Sequence, residues 1–369
     1  MALFFLPKLA SAKTLHFQDQ TWDIDPKAGS NAMVLPVRND VSLAHLTTHA
    51  LLGDKNLGEV PLLDAVSAAK LSDVMLKINQ PARDAKLTLE GKIAKEFEPG
   101  QNGQGLDVYV LRQLLASSEQ DINLPVIFSK PAKTLADTNN LGIRELVAVG
   151  VSDFTGSPSN RIHNVTVGAT KFNGLLIDQG EEFSFNKYLG DVDDVHGFLP
   201  ELVIKKSGVV PEFGGGLCQV SSTAFRAAMN AGLPITARRN HSFAVQYYAP
   251  QGTDATIYPG VVDLKFVNNL SSPILIRTRI DGRKLYFEYY GTKDDRTVSF
   301  EGPVQYDQKP DGSLKASWTR HVTLNGQTAD QTFYSVYQPP ALFHKEAQAA
   351  TPNPEAVPTT NNQPVTQTN

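Results

Sequence analysis

The sequence holds a single cysteine, Cys218, among 369 residues. One thiol cannot close an intrachain disulfide, and Cys and His ligands do not recur at zinc-site spacing, so a disulfide scaffold and a structural zinc centre are both excluded. A basic excess is missing too, since 34 Lys and Arg stand against 38 Asp and Glu, for a formal charge of −4. A chain that binds nucleic acid by neutralising phosphates needs the opposite balance. No apolar run reaches the roughly 18 residues that a transmembrane helix requires. What is present is globular in character: hydrophobic residues make up 41% of the chain, too many for full disorder. At roughly 100–200 residues per domain, the length accommodates two domains or three small ones.

The N-terminal stretch Met1–Ala12 carries an apolar run, Ala2–Pro7, and ends in Ala10-Ser11-Ala12. It resembles a secretory signal that lacks its charged n-region, and export is favoured over a plain apolar strand. His45 and His49 are spaced i, i+4, but no Glu stands between them in the H-E-x-x-H manner, so they carry no metal assignment. Apolar positions from Leu62 to Leu76 predict a helix within 61–80, and Leu106–Ser117 predicts another. Strands are expected around Ala85–Leu89, after the Glu90-Gly91 turn, and over Ile122–Phe128. These elements make a small α+β module over 40–134, behind an N-terminal segment of residues 1–39. At the other end, residues 346–369 are rich in Pro, Thr, Asn and Gln without one aromatic, which reads as a disordered tail.

The order Pro81-x-x-Asp-Ala-x-Leu87, Phe97-x-Pro-Gly-x-x-Gly103, a helix, and Leu124-Pro-Val126 resembles the peptidoglycan-binding domain that precedes L,D-transpeptidase and VanW domains in bacterial envelope proteins. The resemblance implies a wall ligand. A spacer without wall affinity is the competing interpretation.

The densest chemistry lies in 141–292. The polar run Asp153–Asn164 reads as a loop, followed by a helix over Val165–Phe172. Further on, Phe213-Gly-Gly-Gly-Leu-Cys218 leads into small and apolar residues at Val220, Ala224, Ala227, Ala228 and Ala231, and Gly232 with Pro234 stops this second helix. Cys218 therefore lands at a helix N-terminus, where the dipole favours a thiolate. Beyond the helix, His241 falls in a run that alternates as a strand, and Asp254 is expected on the next one. A thiolate needs an imidazole partner, and the imidazole needs an acceptor that fixes its tautomer. Cys218, His241 and Asp254 supply that set in an order similar to transglutaminase-like and papain-type cysteine enzymes. Gln219 or the Cys218 backbone N–H is the candidate oxyanion donor. Each residue also has a bland interpretation: a small buried thiol, a packed histidine, a turn aspartate. The glycines are not a P-loop, because no Gly-Lys-Ser/Thr follows.

In order, Ile143-Arg-Glu-Leu146, Ser157-x-x-Asn-Arg-x-His-Asn164, Gly180-Glu-x-Phe-Ser-Phe-Asn186, Gly214-Gly-Gly-x-Cys-Gln-Val-Ser-Ser-Thr223, Arg239-Asn-His-Ser242, Asp254-Ala-Thr256 and Asp263-Leu-Lys-Phe-x-Asn-Asn269 resemble the VanW family motifs. The family takes its name from a vancomycin-resistance gene cluster in which its member is accessory. The resemblance implies a bacterial cell-envelope protein and supplies no reaction, so the Cys–His–Asp assignment rests on the residues themselves.

Residues 293–345 read as a β-rich accessory module with turns at Pro310-Asp-Gly312 and Asn325-Gly326. Trp318, Tyr334 and Tyr337 are expected mainly in its core, with sugar stacking as the alternative. The expected protein is α+β: a wall-binding-like module, a transglutaminase-like core with Cys on a helix and His and Asp on strands, and a β-rich end. It is placed outside the cytoplasm, in the envelope, with peptidoglycan or its peptide stems as partner and no cofactor, metal, nucleic acid or integral span implied. The expected activity is thiol-dependent acyl transfer or amide hydrolysis. The competing interpretation is a non-catalytic wall-binding or scaffold protein, in which Arg161, Asn164 and the Gly214, Gly215 and Gly216 loop grip a carboxylate or amide.

Overall fold

A computed structural model describes residues 12–24, 65–205 and 208–343. The signal-like segment before residue 12, the His45/His49 pair and the tail over 346–369 lie outside the described residues. The architecture is mixed α+β with more strand than helix.

Two strands near the N-terminus, β1 (Lys13–Phe17) and β2 (Gln20–Ile24), form a hairpin. Helix α1 (Ala65–Ile78) occupies the centre of the stretch expected to be helical. Strands β3 (Lys86–Glu90) and β4 (Ile93–Glu98) turn at Gly91, whose φ of 58° suits a residue without a Cβ. Then come β5 (Gly103–Leu106), α2 (Val108–Ala116), β6 (Asp121–Asn123) and β7 (Val126–Ser129). Helix α2 starts later than its apolar pattern suggests because Asp107 caps it, accepting from the N–H groups of Tyr109 and Val110 at 3.1 and 3.0 Å. Strand β6 pairs in parallel with β1, and Leu15 and Ile24 share a core with Leu71, Val74, Leu111 and Ile122. Residues 13–24 bury their apolar face inside the unit that follows.

The middle of the chain is built on an antiparallel sheet in the order β8-β16-β15-β9, where β8 is Glu145–Asp153 and β9 is Leu176–Ile177. Between those two strands lies α3 (Ser159–Thr170). It begins six residues before the helix read from the sequence, and the polar run at 159–164 is its first turns. The buried face of α3 carries Arg161, Asn164, Val165 and Gly168, at i, i+3, i+4 and i+7. Its spacing is helical, but its first two members are polar and invisible to an apolar periodicity.

After β9 come β10 (Glu182–Ser184), α4 (Phe185–Leu189), a hairpin of β11 (Pro200–Lys205) and β12 (Gly208–Phe213), and the long helix α5 (Leu217–Asn230). Strands β13 (Ile235–Ala237) and β14 (Lys265–Val267) join β10 in a small second sheet. The hairpin of β15 (Ile274–Asp281) and β16 (Lys284–Gly291) turns at Gly282, as its Asp-Gly signal predicts. A cluster of aromatics ties the layers together: the rings of Phe172 and Phe185 sit 4.4 Å apart, and those of Phe183 and Phe266 4.5 Å.

The last three strands, β17 (Thr297–Tyr306), β18 (Leu314–Leu324) and β19 (Gln327–Tyr337), form an antiparallel meander. Trp318 stacks on Phe300 and meets the edge of Phe225 from α5, and Arg320 donates to Leu233 O at 2.7 Å. Trp318 and Tyr337 are buried, whereas Tyr334 is exposed. The meander therefore shares the main core with the α5 helix.

Helix α5 lies directly on β8. Ser152 Oγ and Thr223 Oγ1 are 2.6 Å apart, and Tyr289 OH on β16 donates to Ala224 O at 3.1 Å. The close approach is permitted at Gly150, where an added Cβ would come within 2.2 Å of Thr223 O and 2.5 Å of Ala227 N. Both are backbone atoms of a packed helix. Gly150→Ala is expected to destabilise the protein by about 1–3 kcal/mol or more, read as a lower urea midpoint. An unchanged midpoint would show that the helix can shift freely on the sheet.

Candidate active site

The Gly-rich turn before α5 is shaped by what packs against it. Gly214 and Gly216 have φ of 81° and 113°, in the region that favours glycine. A Cβ on Gly215 would come within 2.7 Å of the Glu201 backbone, and one on Gly216 within 3.1 Å of Arg161 Cγ. Asn164, wholly buried, fastens the turn: its Nδ2 donates to Leu199 O and Gly215 O at 2.9 and 3.0 Å, and its Oδ1 accepts from Leu199 N at 2.8 Å. The Asn164 amide and the Gly215 carbonyl are thus engaged in holding the turn.

Cys218 is the second residue of α5 and is half-buried. Its Sγ lies 3.4 Å from Thr256 Oγ1 and 3.7 Å from Ile257 O. His241 and Asp254 lie in extended loops, outside any strand, which corrects the expectation of a His strand and an Asp strand. Strand β13 ends at Ala237, and side chains take over the joining of the segments that follow. One Asp254 oxygen accepts from the His241 backbone N–H at 2.7 Å and pairs with His241 Nδ1 at 2.5 Å. The other accepts from Arg238 Nη2 at 3.1 Å and from Tyr337 OH at 2.5 Å. Arg238 Nε also donates to Asp254 O at 2.7 Å, and Thr256 N donates to Arg239 O at 2.7 Å. From the meander side, Gln338 N donates to Ser242 O, and Asn240 Nδ2 donates to Val336 O at 2.9 Å.

With Nδ1 engaged by Asp254, Nε2 is the nitrogen of His241 left to meet another group. Nε2 is buried and makes no directional hydrogen bond, while Cys218 and His241 are close enough for each to alter the other's proton affinity. The Tyr248 ring stacks on the imidazole, with centroids 4.2 Å apart. Burial alone would raise the thiol, but His241 and the Thr256 hydroxyl outweigh it and bring Cys218 down to about 7. Burial opposes a charged His241, yet the Asp254 carboxylate and Cys218 hold its proton affinity well above the ordinary imidazole value. For Asp254, the contacts from His241, Arg238 and Tyr337 overcome burial and hold the carboxyl well below the usual range. Together these shifts favour a thiolate–imidazolium pair near neutral pH.

Arg161 sits beside this group. It donates from Nη2 to Gln219 Oε1 at 3.0 Å and to Tyr248 OH at 3.4 Å, and its guanidinium lies 4.4 Å from the centre of the Tyr247 ring. Gln219 is wholly buried and its Nε2 donates to Asp153 O at 3.3 Å. Both ends of the Gln219 amide are thus engaged within the protein, the oxygen by Arg161 and the nitrogen by Asp153 O. Among the described residues, no group of three or more His, Cys, Asp or Glu side chains could hold a metal ion.

Sequence reasoning missed Arg238, Tyr247, Tyr248, Thr256 and Tyr337. Thr256 closes the Asp-Ala-Thr motif and Arg238 adjoins the Arg-Asn-His-Ser motif, so position beside the motifs was a usable signal. Tyr337 is 83 residues from Asp254 and carried none.

Residues 160–290 match the model of the family described as VanW like protein. The chain thus carries a VanW-like domain over 160–290. Over 142 residues it is 36% identical to the uncharacterized protein YoaR of Bacillus subtilis, covering 38% of this chain and 46% of that one. Over 160 residues it is 28% identical to the vancomycin B-type resistance protein VanW of Enterococcus faecalis, covering 42% of this chain and 58% of that one. The matched part is thus about half the length of these curated relatives. No solved structure matches the chain. The VanW match takes in Cys218, His241 and Asp254 and ends before Tyr337. No helix among the described residues is long and apolar enough to cross a membrane.

Removing the Asp254 charge leaves Arg238 buried without its acid. Asp254→Asn is expected to cost about 3–5 kcal/mol, and Tyr337→Phe about 1.5–3 kcal/mol, both measured by urea denaturation. Because the folded carboxyl is held low, the stabilisation by Asp254 is present above about pH 4 and is lost as pH falls further. The gap between wild type and Asp254→Asn should therefore narrow on acidification below about pH 4. A gap that widens there would contradict the assignment.

Proposed function

We propose that this VanW-domain protein works in the cell envelope, outside the cytoplasm, as a thiol-dependent acyl transferase or amide hydrolase on peptidoglycan peptides. The observation that carries the proposal is the His241 imidazole, held by Asp254 at Nδ1 with Nε2 unengaged, and near enough to the Cys218 thiol for each to alter the other's proton affinity. The name of the Enterococcus relative, a vancomycin B-type resistance protein, supports the envelope setting.

In this scheme the Cys218 thiolate attacks the carbonyl carbon of an amide, and the developing oxyanion is met by first-turn N–H groups of α5, with that of Cys218 the nearest in sequence. His241 passes its proton to the leaving nitrogen, the C–N bond breaks, and a thioester remains on Cys218. Water or an acceptor amine then attacks the thioester and gives its proton to His241, and the C–S bond breaks. Asp254 orients the imidazole and stabilises its charged form. The N-terminal α+β unit, which resembles a wall-binding module, would hold this domain at its substrate.

Alkylation of the folded protein by iodoacetamide, followed by mass spectrometry across pH, tests the chemistry. The rate for Cys218 should titrate with a midpoint of about 7. In His241→Ala the midpoint should rise by about one pH unit or more, because burial is then opposed only by the Thr256 hydroxyl and the Ile257 backbone, and the rate at pH 7 should fall roughly tenfold. A Cys218 that stays unmodified in the folded state would remove the enzymatic proposal. The wall partner is tested separately, by retention of the full chain on purified peptidoglycan sacculi. Passage straight through the sacculi would count against that partner.

A further inference from the structure

Among the described residues, Arg161 has no acidic partner. The residue is only 8% exposed, and both of its hydrogen-bond acceptors, Gln219 Oε1 and Tyr248 OH, are neutral. Its Nε is buried and makes no hydrogen bond. A buried cation normally sits against an acid, because desolvating an unpaired charge is costly. Here the surroundings are instead arranged to tolerate the charge: the Tyr247 face lies 4.4 Å away and that of Tyr248 5.9 Å.

The position of this cation is set by the catalytic elements themselves. Gly216 packs on the Arg161 side chain one residue before α5 begins. Gln219, next to Cys218, receives Nη2, and Tyr248, which also receives Nη2, stacks on His241. An anion that met the guanidinium would therefore lie beside the thiol and the imidazole. A guanidinium offers planar, paired N–H donors that match a carboxylate.

We propose that Arg161 recognises a substrate carboxylate, so that the amide attacked by Cys218 is the last peptide bond of a chain ending in a free carboxylate. The assignment rests on the acyl-transfer reading above and adds the substrate class. The leaving group is then the C-terminal amino acid: its nitrogen takes the proton from His241 as the C–N bond breaks, its carboxylate stays on Arg161 until release, and the remaining peptide is held as a thioester on Cys218.

Two alkylating reagents of nearly equal size separate this role from simple support of the thiolate. Iodoacetate carries a carboxylate and iodoacetamide does not. In the wild-type protein the ratio of iodoacetate to iodoacetamide rates at Cys218 should exceed the ratio for glutathione by about tenfold or more, from one charge-assisted pair. N-acetylglycine should protect Cys218, and N-acetylglycinamide should not. In Arg161→Gln the ratio should fall to that of glutathione. A wild-type ratio equal to that of glutathione, or equal protection by acid and amide, would overturn the proposal, and neither measurement needs a variant to fold. An equal loss of both rates in Arg161→Gln would also overturn it, since Arg161 would then serve the thiolate alone. If Cys218 reacts with neither reagent, the acyl-transfer reading fails, and carboxylate recognition is judged by thermal unfolding instead. N-acetylglycine should raise the wild-type Tm and N-acetylglycinamide should leave it unchanged, and an equal response to the two would sink the carboxylate site as well.

Discussion

The Asp254 carboxylate, 1% exposed, is where three separate parts of the chain are joined. Its two oxygens take the backbone and ring N–H groups of His241, the guanidinium of Arg238 and the hydroxyl of Tyr337. Such a carboxylate is stable in the interior only because all its acceptor sites are filled by strong donors, and each donor is in turn fixed by it. The loop bearing His241 has no sheet ladder to define its path. Its shape is a consequence of where Asp254 and Arg238 hold it, and the direction of His241 Nε2 follows from that shape.

On the opposite wall of the site, position is set by close packing. Helix α5 can lie flat on β8 because Gly150 leaves room for its backbone, and the turn that introduces Cys218 can press against Glu201 and Arg161 because it is made of glycines. Asn164 locks that turn with three hydrogen bonds. The thiol is thus carried by a helix, and the imidazole by a loop held through side-chain hydrogen bonds and two backbone ones, at Arg239 O and Ser242 O. A buried polar network of this kind has little tolerance for loss of one member, since the remainder is left unsatisfied.

Much of this was legible in the sequence, for identifiable reasons. Cys218 could be placed at a helix start because three glycines precede it and small apolar residues follow at helical spacing. The roles proposed for His241 and Asp254 follow from the needs of thiol chemistry, but their setting does not. The alternation around His241 resembled a strand, whereas its backbone groups are satisfied by Asp254 and by the meander. The first turns of α3 escaped notice because Arg161 and Asn164 occupy buried positions that a hydrophobic pattern assigns to apolar residues. Residues 13–24 could not be joined to the unit that follows from sequence, because their partner strand, β6, lies about a hundred residues away. Pairings of that range leave no mark on local composition.

The contact between Tyr337 and Asp254 has a consequence in time as well as space. During translation, N-terminal parts of a chain emerge and begin to fold before later parts exist. Cys218, His241 and Asp254 are all synthesised well before Tyr337, which closes the carboxylate's shell from the end of the final strand of the meander. Contacts of such long sequence separation form late. Until β19 docks, Asp254 lacks one of its donors and Ser242 lacks its partner at Gln338. The nascent chain therefore carries its thiol in an unfinished setting, and the site matures only when the meander has folded onto it.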